Sequence, residues 1–413
     1  MKLSFVLVDD EQDVLDILKI QMEAQGHRVR TFTSSQQAYQ AILNEPPDCV
    51  VTDIMMPEMD GVELTGKLRE VPALANIKIV VLSGKVYQTD RDRALQAGAD
   101  GFLPKSRGNP EEILETLVNL VLDRLTLRFW GCRGTIPVPG PDTVKYGGNT
   151  SCVSLTFPNE HIFIFDAGTG IKPLADHLVG AGKREITGTI FLSHPHWDHI
   201  NFLPFFRPFY IPGNSFTLAG SPVSGMSVEQ LVANQMGGVH FPITTREFAS
   251  QVLYKDIGEG RFDFGPAQVE TMLLCHPGNT LGYSVFFKGK KICYVTDNEI
   301  FPDGHSLHSP SFLNRLVEFV RGADILITDS TYFDDEYAAK VGWGHSPISA
   351  VVDLAHRGEV KDLYLFHHDP DQDDRALERK LAFCKEQLAG LQSQTTPKLA
   401  LAEEELLISA RSG

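Results

Sequence analysis

Ser193-His194-Pro195-His196-Trp197-Asp198-His199 places three imidazoles and one carboxylate within six residues, His194 to His199. The apolar run Thr189 to Leu192 precedes them and reads as a strand, so a tight turn at its end can aim several of these side chains into one pocket. Imidazole and carboxylate without thiolate suit Zn²⁺ best, with Mn²⁺ or Fe as alternatives. Further donors also follow strand-like runs: His276 after Leu274, Asp297 after Val295, and His367-His368 after Phe366. Asp166 opens Asp166-Ala167-Gly168-Thr169-Gly170, whose glycines allow close backbone approach. Donors of this type and number suit a two-metal hydrolytic centre.

A second group lies in the first quarter of the chain. Asp9-Asp10 follows the apolar run Leu3 to Val8, and Asp53 follows Asp48 to Thr52. Ser83 closes the run Ile77 to Leu82, and Lys105 comes just after Gly101 to Leu103. Clustered carboxylates repel one another unless a cation sits among them, and Mg²⁺ suits hard oxygen ligands. A lysine beside such a site can balance an incoming phosphoryl group.

The elements that must position these groups alternate strand and helix over residues 1–123. His27 to Phe32 supplies one more strand, and helical spacing runs over Val14 to Gln25, ending at Gly26, and over Ser35 to Leu43. Pro110 to Leu125 reads as the last helix of this part, with Glu111 and Glu112 in its first turn, where they suit the helix dipole. Five such units imply a doubly wound, five-stranded parallel sheet, which binds ligands outside the carboxyl ends of its strands.

This segment resembles the receiver domain of response regulators, a flavodoxin-like fold. The matching residues are Val8-Asp9-Asp10-Glu11, Asp53-Ile54-Met55-Met56-Pro57, Leu82-Ser83-Gly84 and Gly101-Phe102-Leu103-Pro104-Lys105. The resemblance implies that Asp53 accepts a phosphoryl group from a sensor histidine kinase and that Asp9, Asp10 and the Met55 carbonyl hold Mg²⁺. It makes Ser83 and Phe102 the switch pair and sets Lys105 against the phosphoryl group. Ser106 stands where the family usually has proline.

Residues 124–413 read as a second domain, joined without a Gly/Ser-rich or Pro-rich linker. Strand signals fall at Thr126 to Trp130, Val153 to Phe157, Ile162 to Phe165, Thr189 to Leu192, Ser215 to Ala219, Gln268 to Leu274, Tyr283 to Phe287, Lys291 to Val295, Ile325 to Thr328 and Leu363 to Phe366. Helical periodicity marks Val228 to Met236, Leu313 to Val320, Ser346 to His356 and Arg375 to Leu388, the last charged at its start by Asp371, Asp373 and Asp374. Many strands with helices after groups of them suggest two sheets covered by helices. Trp197 reads as a packing residue of the metal loop, and Phe205, Phe206, Phe209 and Tyr210 as a hydrophobic wall.

The constellation resembles the metallo-β-lactamase superfamily, which implies an αββα sandwich. By position, His194, His196 and His276 would bind one metal, and Asp198, His199 and His367 the other. Asp297 would bridge them, His367 is preferred to His368, and Asp166 would orient the ligand loop through hydrogen bonds. Asp198 also counts among the catalytic residues. Gly131-Cys132-Arg133-Gly134-Thr135-Ile136-Pro137 and Gly147-Gly148-Asn149-Thr150-Ser151 resemble the branch that includes ribonuclease Z and cyclic-nucleotide phosphodiesterases. Ile327-Thr328-Asp329-Ser330-Thr331-Tyr332 with Gly344-His345-Ser346 points the same way. In that branch a histidine protonates the departing oxygen and an acid holds it, which implies His345 and Asp329. The residue pattern by itself also allows His345 to be a helix-terminal residue beside a capping Ser346.

The expected function is a two-component response regulator whose output hydrolyses a small phosphodiester such as a cyclic nucleotide. Alternatives are an endoribonuclease of the ribonuclease Z type and a non-catalytic metal-bearing signalling module. A formal net charge of -16 is a poor background for phosphate neutralisation, which disfavours a nucleic-acid partner. The six cysteines lie far apart with no C-x-x-C pair, which fits a reducing compartment. No apolar run reaches the ~18 residues of a membrane span, so a cytoplasmic protein is expected and a homodimer is left open.

Overall fold

The computed structural model describes residues 2–84, 87–105, 110–180, 185–238, 241–391 and 396–410; Ser106 lies outside them. The chain divides after Arg124 into two compact units. No helix among the described residues is long and apolar enough to cross a membrane.

The first unit runs β1 (Ser4–Val8), α1 (Gln12–Ala24), β2 (Arg28–Phe32), α2 (Ser35–Asn44), β3 (Cys49–Asp53), α3 (Gly61–Arg69), β4 (Lys78–Ser83), α4 (Gln88–Gln96), β5 (Gly101–Pro104) and α5 (Pro110–Val121). The sheet order is β2-β1-β3-β4-β5, and every pairing is parallel. Alternation along each strand builds two cores. Phe5, Leu7, Val51, Val80 and Leu82 pack with Leu15, Leu18, Leu114 and Leu117 of α1 and α5. Val6, Val8, Val50 and Ile79 pack with Ala38, Ile42, Leu64 and Leu68 of α2 and α3. Helix α5 ends at Val121, short of the expected Leu125. Asp123 turns into the left-handed region (φ 46°), and Arg124 N–H closes on Asn119 O at 2.8 Å, so Leu125 is released to start a strand.

The second unit continues with β6 (Leu125–Gly131), β7 (Cys152–Thr156), β8 (Ile162–Phe165), α6 (Ile171–Gly180), β9 (Thr187–Leu192), α7 (Trp197–Ile200), β10 (Ser215–Gly220), α8 (Val228–Gln235) and β11 (Gln251–Asp256). It goes on through β12 (Gly260–Phe264), β13 (Ala267–Leu273), β14 (Leu281–Phe287), β15 (Lys290–Val295), α9 (Pro310–Val320), β16 (Ile325–Asp329) and α10 (Asp334–Tyr337). It closes with α11 (Ile348–Arg357), β17 (Asp362–Phe366), α12 (Asp374–Gly390), β18 (Lys398–Leu401) and β19 (Leu407–Ala410). Two seven-stranded sheets form, ordered β11-β10-β9-β8-β7-β6-β19 and β12-β13-β14-β15-β16-β17-β18. An aromatic core joins their inner faces, with Phe165 stacked 5.4 Å from Phe191 and 5.2 Å from Tyr294. Each such pair contributes about 1 kcal/mol beyond its buried area. Helices α6 and α8 cover one outer face, and α9, α11 and α12 the other, which makes the layers αββα.

Sequence periodicity overlooked β11, β12, β18 and β19. The first sheet ends in β11 and β19, the second in β12 and β18. Edge strands bury too little of either face to carry a clear apolar pattern. Helix α6 was also not marked by the periodicity; Pro173 stands in its first turn, where a missing N–H is tolerated. Helix α11 starts at Ile348 rather than Ser346; Ser346 Oγ instead donates to Asn298 O at 2.7 Å and accepts from Ile300 N–H at 3.0 Å.

His161, at the start of β8, packs edge-on to Phe157 and Phe163, and burial holds its imidazole down at about 4. In the unfolded chain it takes its proton near the ordinary value of 6.5. Its contribution to stability is therefore complete above that value and is lost as pH falls from there towards 4. His161→Phe is expected to remove about 3 kcal/mol of the stability difference between neutral and acid pH. Urea midpoints of both proteins across that range would check this; parallel profiles would show that His161 carries none of it.

Candidate metal centre and phosphoacceptor site

Strand β9 ends at Leu192, and the chain turns through Ser193 into the single helical turn α7, whose N-cap is His196. Asp166, fully buried and in the left-handed region (φ 62°), anchors this turn. Its Oδ1 accepts from Ser193 N–H at 2.7 Å. Its Oδ2 accepts from Ser193 Oγ at 2.8 Å, Tyr294 OH at 2.7 Å and His199 Nδ1 at 2.7 Å. Trp197 does not pack: it is 80% exposed, whereas Asp198 and His199 after it are buried. Phe206 and Phe209 are buried in the wall expected of them, whereas Phe205 is 45% exposed.

The structure brings the candidate ligands into two groups that share Asp297. His194, His196, His276 and Asp297 form one; Asp198, His199, His367 and Asp297 form the other. His276, Asp297 and His367 each lie in the segment following β13, β15 and β17. His367 adopts φ 56°, and its Nε2 reaches Asp198 Oδ2 at 3.1 Å and Asp297 Oδ1 at 3.2 Å. His368 turns away and sets Nε2 3.2 Å from Ala402 O.

The tautomers of these histidines can be read from their outer partners. His276 Nδ1 donates to Gly344 O at 2.8 Å, and His367 Nδ1 to Thr331 Oγ1 at 3.1 Å. His194 Nδ1 donates to Ser193 Oγ at 3.0 Å, since that hydroxyl gives its own proton to Asp166. Each Nε2 is left with a lone pair facing inward. His194 Nε2 then lies 2.9 Å from His196 Nδ1, which lies 3.1 Å from His276 Nε2. Burial pushes His194 well below its usual value, and the His199, His276 and His196 rings lower it further. His199 Nε2, fully buried, makes no hydrogen bond although it sits 3.2 Å from Asp198 Oδ2 and 3.3 Å from Asp297 Oδ1. Converging lone pairs and carboxylates of this kind fit divalent cations in both groups.

Beside them, burial would lower His345, but Asp329, with Asp297 and Asp198 behind it, holds the ring up at about 9. His345 Nδ1 lies 2.7 Å from Asp329 Oδ2, and Asp329 Oδ1 accepts from Thr331 N–H at 2.9 Å and Oγ1 at 2.6 Å. Asp329, His345 and His367 are also close enough to hold an ion. The Asp329 oxygens are already taken by these donors, which favours an imidazolium–carboxylate pair there. These groups line an open cleft of about 460 Å³ with Thr135, Tyr332, Lys340 and Trp343. Lys340 Nζ lies 4.3 Å over the Tyr332 ring and 3.2 Å from Asp369 Oδ2.

Three contributors escaped sequence reasoning. Tyr294 holds Asp166, Thr331 links Asp329 to His367, and Glu299 binds the turn at Gly344. Thr331 lay within a run already singled out, but nothing in the sequence distinguished Glu299. The Gly131–Gly134 run proves to be a packing motif. A Cβ on Gly134 would stand 2.3 Å from the His367 ring, and Gly134 N–H donates to His368 O at 2.9 Å.

In the first unit Asp9 and Asp53 are buried at the carboxyl end of the sheet. Lys105 Nζ bridges them, 2.7 Å from Asp9 Oδ2 and 2.8 Å from Asp53 Oδ1. Burial raises Asp9 despite this lysine. Asp53 Oδ2 accepts from Met55 N–H at 2.8 Å; Asp10 is exposed, Ser83 is buried and Phe102 half-buried.

The family described as "Response regulator receiver domain" matches residues 5–118, and that described as "Beta-lactamase superfamily domain" matches residues 161–368. The chain is 33% identical over 125 residues to the gliding motility regulatory protein of Myxococcus xanthus, covering 30% of this chain and only 15% of that protein. It is 33% identical over 120 residues to a 14.6 kDa protein of Leptolyngbya boryana, covering 29% of this chain and 88% of that protein. Among solved structures, the metallo-β-lactamase fold protein YhfI from Bacillus subtilis aligns with a TM-score of 0.50 and 15% identity. The alignment covers 70% of this chain and 100% of that one, a likeness of fold.

Proposed function

Since the chain belongs to the β-lactamase superfamily and carries a response regulator receiver domain, we propose that it is a two-component response regulator whose output is a dinuclear-metal phosphodiesterase. The observation that carries this reading is the His345–Asp329 pair set beside two ligand groups in one cleft. A departing sugar oxygen is a poor leaving group until it is protonated, and a buried imidazole paired with a carboxylate can supply that proton.

Divalent ions held by the two groups would acidify a water and draw charge from the phosphate oxygens. The chain's own residues do the rest. Asp166 and Ser193 fix the ligand turn, so His194 and His199 need no reorganisation during turnover. His345, charged through Asp329, gives its Nε2 proton to the leaving oxygen. Lys340 supplies a cation at the rim of a cleft otherwise rich in carboxylates. The preferred substrate is a small phosphodiester such as a cyclic nucleotide; Zn²⁺ is the favoured ion, with Mn²⁺ or Fe as alternatives. The decisive measurement uses chain loaded with Zn²⁺ or Mn²⁺ on an aryl phosphodiester, cyclic nucleotides and a tRNA precursor. Cleavage of the precursor alone would make it an endoribonuclease, and turnover of none would make it a signalling module.

Asp53 is the proposed phosphoacceptor for a sensor histidine kinase, with Asp9, Asp10 and the Met55 carbonyl holding Mg²⁺. Ser83 and Phe102 act as the switch pair, and Lys105 moves from carboxylate to phosphoryl. Acetyl phosphate with Mg²⁺ is expected to shift phosphodiesterase activity by about fivefold or more, a typical coupling between sites. Asp53→Ala should abolish that response, and an unchanged response in the variant would remove Asp53 from the role.

A further inference from the structure

Trp343 is 62% exposed although it lies between two tightly held glycines at the wall of the metal cleft. An exposed indole on the wall of a cleft offers a broad flat face to a planar group that enters it. The turn that presents it is not loose. Glu299, 2% exposed, accepts from Gly342 N–H through Oε1 and from Gly344 N–H through Oε2, both at 2.8 Å. Tyr337 OH donates to the same carboxylate at 2.8 Å. Gly342 and Gly344 have φ 86° and 88°, a conformation that favours glycine, and a Cβ on Gly344 would stand 2.1 Å from His276 Nδ1. Gly344 O accepts from that same Nδ1 at 2.8 Å. One buried carboxylate thus holds an exposed indole at a defined distance from a candidate metal ligand.

We propose that the Gly342-Trp343-Gly344 turn, clamped by Glu299, is a stacking platform for the nucleobase of a nucleotide whose phosphate lies at the metal groups. The inference rests on the phosphodiesterase reading and adds to it a specificity residue, Trp343, and a positioning residue, Glu299. A planar base can stack on a rigid indole face and would cover it, while Lys340 and the metal groups in the same cleft take the phosphate end. The cleft is large enough for both ends of a mononucleotide.

The test measures binding of adenosine 5′-monophosphate and of inorganic phosphate to metal-loaded full-length protein by calorimetry. Trp343→Ala is expected to weaken the nucleotide about tenfold or more and to leave phosphate within twofold; Trp343→Phe should recover most of the loss. Glu299→Gln should weaken the nucleotide in the native background and add little in the Trp343→Ala background. Equal losses of nucleotide and phosphate, or no loss of either, would overturn the platform. So would a changed sedimentation coefficient in Trp343→Ala with unchanged nucleotide binding, which would assign the indole to contact between copies. Hydrolysis of an aryl phosphodiester by the unmodified chain is assayed separately, so a failed platform and a failed phosphodiesterase reading are told apart.

Discussion

Replacing Asp297 by alanine is expected to strip metal from the second unit and to lower phosphodiester turnover roughly a thousandfold, about 4 kcal/mol at 1.36 kcal/mol per decade. Asp297 alone belongs to both ligand groups. Its Oδ1 lies 3.3 Å from His199 Nε2 and 3.2 Å from His367 Nε2, and its Oδ2 lies 3.6 Å from both His194 Nε2 and His276 Nε2. Burial would raise its pKa, but the His367, His199 and His194 rings around it hold it well below the carboxylate range, so it is present as an anion. Without it, inward lone pairs face one another with no shared counter-charge, and two like-charged ions would have to sit side by side unscreened. Asp297→Asn keeps the volume and the Thr296 contact but not the charge, and should fall nearly as far. The check is metal content by elemental analysis beside turnover, with circular dichroism to show that the fold persists. Full metal content and turnover within tenfold of the native protein would remove the bridging role.

The second large effect depends on the substrate. His345→Ala is expected to slow hydrolysis of a phosphodiester with an alkoxide leaving group by about a hundredfold to a thousandfold. With p-nitrophenolate, which leaves without a proton, the change should be about threefold or less. The reason is the division of labour within the ring: Nδ1 is tied to Asp329 at 2.7 Å, so Nε2 is the nitrogen that can hand over a proton. Asp329→Asn should give the same leaving-group-dependent pattern in weaker form, because the amide still orients the ring but no longer stabilises its charge. Equal losses on both substrates would mean that His345 positions the site rather than acting as an acid. Plotting rate against leaving-group basicity for both variants separates the two.

The sequence by itself determined the two folds and the cast of polar residues. Apolar runs end where chemistry begins, and a chain leaving a strand must turn there, so Asp9, Asp53, His194, Asp297 and His367 could be picked out by their place just after a strand. Doubly wound and sandwich layering followed from the order of those runs, although edge strands such as β12 and β18 were too weakly patterned to see. Only the tertiary structure decided which of two neighbours turns inward. His367 and His368 have the same chemistry and adjacent positions; the left-handed backbone at His367 sends one to Asp198 and the other to Ala402. The same is true of Trp343, apolar in composition yet exposed, and of Glu299, an ordinary acid in sequence yet the anchor of the turn that holds His276. Local pattern sets which face of an element is apolar, whereas contacts between residues 40 or more positions apart, such as Glu299 with Gly344, arise only when the strands they follow pair in one sheet.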